Sequence, residues 1–146
     1  MPERILVVRS ARDEVLGYAC RLLAVRYPQA ELAVLAQPEH ADRVRALPGV
    51  AEVIAYAGDR FCPEQLPGEL ACRLRAAAFA EVVVLWHNRD GAGYAPVQAM
   101  VRLFQRGPVT VVDCAGGYQR LPGSMREMLA GLRLVWRALR AALARG

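Results

Sequence analysis

The chain predicts an α/β fold, a three-layer doubly wound parallel sheet of about five strands. Three observations carry this: short β-branched runs recur along the sequence, amphipathic stretches separate them, and proline or glycine stands at many of the junctions. A length of 146 residues with 55% apolar content is enough to bury one core, so a single domain is expected over 1–146.

Ile5, Leu6, Val7 and Val8 form a continuous apolar run, the pattern of a strand covered on both faces. From Asp13 the apolar positions Val15, Leu16, Ala19, Leu22 and Leu23 recur at helical spacing until Pro28, which cannot continue a helix. A second strand is expected over 31–35, a helix from Pro38 to Pro48-Gly49, and a third strand over 50–56. Residues 58–67 are rich in turn formers, and 68–78 read as a helix. The run from Glu81 to His87 is the most apolar strand and belongs at the centre of the sheet. Residues 88–93 form its exit loop, 95–104 a helix and 109–113 the fifth strand. Right-handed crossovers between these strands give the order 3-2-1-4-5.

Sheet and crossover helices are thus expected over 1–115, followed by a long C-terminal amphipathic helix over 123–145. In that helix Met125, Met128, Leu129, Leu132, Val135, Trp136, Leu139 and Leu143 line one face, and Arg126, Arg133, Arg137 and Arg140 another. It suits docking on the sheet, a homodimer with a second copy, or peripheral contact with an anionic membrane.

The formal charge is +5, and all 19 basic residues are arginine. That balance permits an anionic partner such as a phosphorylated sugar, a nucleic acid or a membrane surface and by itself selects none; among partners, no nucleic acid is expected. No apolar run approaches the roughly 18 to 20 residues of a membrane span, and the start lacks the regions of a signal peptide, so a cytoplasmic location is expected, at most peripheral at the inner face of the membrane. The four cysteines include no C-x-x-C pair, and His40 and His87 lie far apart. Neither a disulfide frame, a metal nor a cofactor is expected.

In an open parallel sheet ligands bind beyond the carboxyl ends of the strands, where the strand order reverses, here between the first and fourth strands. Arg9, Ser10, Arg12, Asp13 and Glu14 leave the first; His87, Asn88, Arg89, Asp90 and Tyr94 leave the fourth; Asp113, Cys114, Gly116 and Gly117 leave the fifth nearby. The loop after the first strand holds no glycine, which argues against both the dinucleotide fingerprint and a phosphate-cradling loop at that place.

The stretches Ile5-Leu-Val-Val-Arg9, Leu22-Leu-Ala-Val-Arg-Tyr-Pro-Gln-Ala-Glu-Leu32 and Leu47-Pro-Gly-Val-Ala-Glu-Val-Ile-Ala-Tyr56 resemble the amino-terminal half of glycosyltransferases of the ADP-heptose:lipopolysaccharide heptosyltransferase type. The similarity runs to about Asp113. It implies a Rossmann-like domain that receives a sugar or lipid-linked acceptor, facing a second domain that holds the nucleotide sugar. It further implies a carboxylate acting as base on the acceptor hydroxyl, with Asp13 the candidate and Glu14 the reserve. Arg9, Arg12 and Arg89 are then anion contacts, and Ser10, His87, Asn88 and Tyr94 further substrate contacts. Two departures stand out. The loop from Ser10 to Leu16 is about three residues shorter than the family's and lacks its glycine, and the chain after Asp113 has no room for a nucleotide-sugar domain. Transfer is therefore expected to need a partner domain or chain. The alternative is a non-catalytic binding or assembly module, brought to a membrane surface by the final helix.

Overall fold

The computed structural model describes residues 3–121, 137 and 139–145. Its strands are β1 (Arg4–Val8), β2 (Glu31–Ala36), β3 (Val50–Ala55), β4 (Glu81–Leu85), β5 (Val109–Val112) and β6 (Tyr118–Arg120). They form one sheet in the order β3-β2-β1-β4-β5-β6. The first five are parallel, with Val7 opposite Val34 on one side and Val83 on the other, and β6 runs antiparallel to β5.

Alternation within the central strands divides the core into two layers, because successive side chains leave opposite faces. Leu6, Val8, Leu35, Val82, Val84 and Val111 face one layer with Leu70, Leu74, Val97, Met100 and Val101. The helices supplying that layer are α3 (Gly68–Ala76) and α4 (Ala95–Arg102). Ile5, Val7, Val34, Val83, Leu85 and Val112 face the other with Leu16, Ala19, Cys20, Leu23 and Val44, from α1 (Asp13–Arg26) and α2 (Ala41–Arg45). Helices on both faces explain why β1 and β4 are apolar at nearly every position rather than alternating.

Three details differ from the sequence reading. The helix expected from Pro38 to Pro48 is a 3-10 turn, Pro38–His40, followed by the five-residue α2, of which Val44 alone is buried. The strand expected to reach His87 ends at Leu85, although the Trp86 amide still donates to the Val112 carbonyl at 3.0 Å. The sheet also continues past residue 115, as β6 closes a hairpin after β5. Its turn is made by Asp113, whose Oδ1 accepts from the amides of Ala115 and Gly117 at 2.8 Å each, while Gly116 takes φ +83°. Of the helix expected over 123–145, residues 137 and 139–144 are helical, and most of the remainder lies outside the described residues.

Candidate functional site

Where β1 and β4 leave the sheet, Ser10 ties the two strand ends together. Its Oγ donates to the Leu85 carbonyl at 2.8 Å and accepts from the Leu85 amide at 3.0 Å. That clamp fixes the start of the loop to α1, and with it the floor of a crevice of about 1160 Å³. The volume exceeds that of an ordinary small-ligand pocket, and the position is that of the switch point.

Four exit loops build the walls. Arg9, Ser10, Ala11 and Arg12 come from the end of β1; Gln37, Glu39 and His40 follow β2; Asp59 to Gln65 follow β3; His87, Gly93, Tyr94, Pro96, Val97 and Ala99 follow β4. Arg12 and Arg60 are exposed, and neither side chain has a partner among the described residues. Glu39, Asp59, Glu64, Gln37 and Gln65 supply acceptors, the two amides donors as well. The loop after β3 is held from within: Tyr56 stacks on Phe61 at 4.7 Å between ring centroids and donates to the Arg60 carbonyl at 2.5 Å.

Of the residues singled out in the sequence, Arg9, Ser10, Arg12, His87 and Tyr94 come together at the crevice. Asp13, Glu14, Asn88 and Arg89 are not among its lining residues. Asp13, at the first turn of α1, directs Oδ1 to Arg9 (Nε at 2.9 Å, Nη2 at 2.8 Å) and Oδ2 to Arg43 of α2 at 3.3 Å. Burial pushes its carboxyl up, but the Arg9 hydrogen bond and the charges of Arg9, Arg43 and His40 outweigh this and hold it below the ordinary value of 3.8. Such a carboxylate is a weak proton acceptor while both guanidinium groups stay in place. Glu14 is exposed on the next position of the helix. Asn88 shapes its own loop, accepting from the Gly91 amide at 2.8 Å and donating to the Ala92 carbonyl at 2.9 Å, and Arg89 is exposed at the tip.

His87 and Tyr94 are joined: the Tyr94 hydroxyl meets His87 Nδ1 in a short hydrogen bond, accepts from the His87 amide at 3.1 Å and donates to the Ser10 carbonyl at 3.1 Å. Burial pushes the Tyr94 phenol up, with Cys114 adding to that effect, against the lowering by the His87 amide, so its proton is retained.

The contributions of Gln37, His40 and the loop from Asp59 to Gln65 were not anticipated from sequence. The signal was present, since β2 and β3 open their exit loops on the same edge of a parallel sheet as β1 and β4. Among the described residues no group of three or more His, Cys, Asp and Glu is arranged to hold a metal ion, and no helix is long and apolar enough to cross a membrane.

No protein-family model matches the chain, and no curated protein matches it. Among solved structures, ADP-heptose LPS heptosyltransferase II of E. coli aligns over 57% of this chain at 24% identity with a TM-score of 0.44. The aligned part amounts to 24% of that enzyme's own length, so this chain spans about a quarter of it. The α/β doubly wound architecture is fixed by the strand order and register of this chain itself.

Proposed function

We propose that the chain is the acceptor-side domain of a glycosyltransferase-like assembly, binding a sugar with an anionic group in the crevice and depending on a nucleotide-sugar-binding partner for transfer. The observation that carries this is the lining itself. Arg12 and Arg60 offer guanidinium forks, unpaired among the described residues, for a phosphate or carboxylate, and carboxylates and amides beside them suit a row of hydroxyls. The resemblance of residues 5–9, 22–32 and 47–56 to the acceptor half of heptosyltransferase-type enzymes supports the same reading. In it Asp13 sets the direction of Arg9, and it serves as a base only if an incoming ligand or partner draws the arginines away.

A thermal-shift screen with glucose 6-phosphate and lipid-linked sugar fragments tests it, because a ligand at about 100 times its Kd stabilises the fold by ~2.7 kcal/mol. Stabilisation should fall sharply in Arg12→Ala, whose lost charge-assisted contact corresponds to about tenfold or more in affinity. No shift with any anionic sugar, or a shift indifferent to both Arg12 and Arg60, contradicts the proposal.

One observation favours a second reading, a non-catalytic module held at an anionic membrane or paired with a second copy. Leu139 and Leu143 are 50% and 79% exposed one helical turn apart, next to exposed Arg137 and Arg140. Vesicle binding that disappears on removing residues 124–146, with no sugar binding, supports that reading over the first.

A further inference from the structure

The three contacts at the Tyr94 hydroxyl leave one consistent arrangement of protons. A phenol carries a single hydrogen, and the Ser10 carbonyl 3.1 Å away can only accept, so the Tyr94 proton points to Ser10. The phenol oxygen then accepts from both His87 groups that face it, the backbone amide at 3.1 Å and the ring nitrogen Nδ1. The reverse arrangement, with the phenol donating to Nδ1, leaves two oxygens 3.1 Å apart with no hydrogen between them. It also leaves the Ser10 carbonyl without a described partner. In a neutral imidazole a proton on Nδ1 means none on Nε2, since the hydrogen bond of one nitrogen fixes the state of the other. His87 is exposed at the crevice wall, and its Nε2 has no hydrogen bond among the described residues.

We infer that Ser10 and Tyr94 lock His87 as its Nδ1–H tautomer, presenting the Nε2 lone pair to the crevice as the acceptor for a hydroxyl of the bound sugar. The ligand half of this rests on the proposed function; the tautomer does not. His87 then selects for a ligand carrying a donor hydroxyl in addition to the anion held by Arg12 and Arg60, so bare anions gain nothing from it.

Long-range proton–nitrogen NMR on histidine-labelled full chain separates protonated from unprotonated ring nitrogens, and His87→Gln assigns the signals against those of His40. The spectra are recorded at about pH 8.5, two units above the ordinary value of an imidazole in water. The expected result is a protonated Nδ1 and an unprotonated Nε2 for His87, changing towards Nε2–H in Tyr94→Phe. An Nε2–H ring or an even mixture in the unmodified chain overturns the inference without reference to any variant, and an Nδ1–H ring unchanged in Tyr94→Phe overturns the role of Tyr94. For the ligand half, His87→Ala should weaken glucose 6-phosphate about tenfold, the range of one lost hydrogen bond, and leave sulfate unchanged, as sulfate has no hydroxyl to donate. Equal loss for both probes contradicts the hydroxyl role of His87. Binding of neither probe to the unmodified chain contradicts the functional reading and the ligand half together, while the tautomer is decided by the apo spectrum.

Discussion

Asp13 shows how a residue chosen from sequence acquires its role from neighbours the sequence does not display. Its spacing of four from Arg9 was visible, as was its place at a helix start; Arg43, thirty positions on in α2, was not. Because its folded value lies below 3.8, the unfolded chain takes up the proton first as the pH falls. The stabilisation is therefore complete well above 3.8 and is lost as the pH drops through the lower folded value. Asp13→Asn should flatten the acid limb of the stability curve and cost about 0.5–1 kcal/mol at neutral pH, a modest figure because solvent screens a partly exposed pair. Urea denaturation at pH 7 and at pH 3 checks both statements; an acid limb as steep as before contradicts them.

At the scale of elements, the five parallel strands were legible because each is a largely apolar run long enough to show its pattern, and proline or glycine follows three of the four crossover helices, at Pro28, Pro48-Gly49 and Gly107-Pro108. The sixth was not, since Tyr118, Gln119 and Arg120 make only three positions, two of them exposed. The sequence places Asp113 and the glycines after it in a loop near the crevice; they form a hairpin turn instead, as an aspartate followed within four residues by two glycines also permits. What holds β6 is a polar cluster at the start of β4. Glu81 is 4% exposed, and its Oε1 accepts from Thr110 and from the Tyr118 hydroxyl, the latter at 2.8 Å. Burial and the bond to Glu81 push the Tyr118 phenol upward, so it stays a donor. Arg26 covers its ring at 4.5 Å. Thr110→Val removes a donor from a buried carboxyl oxygen while preserving shape, and should cost about 2 kcal/mol. A loss below ~0.5 kcal/mol in chemical denaturation contradicts the role given to this cluster.

Opposite edges of the sheet are protected by different means. On one side β6 pairs with β5 and is itself short. On the other, β3 is exposed at half of its positions, carries the Arg4–Glu52 ion pair at 2.6 Å, and its pairing with β2 shifts register between Leu32 and Ala33.

For the whole molecule, the crevice exists only when four loops, from residues 9 to 99, converge at one end of the sheet. The switch-point rule located that end from sequence and named five of its residues. It missed the loop after β3 because the rule singles out the first and fourth strands, whereas the walls also draw on the loops after β2 and β3. An overall charge of +5 favours approach of an anionic ligand, and Arg12 and Arg60 line the crevice. The central claim is that this crevice is the binding site. Amide NMR during titration of the labelled chain with glucose 6-phosphate measures it most directly. Shifts confined to 9–12, 37–40, 59–65 and 87–94 are the predicted result; shifts at the opposite ends of the strands, or none at millimolar ligand, contradict it.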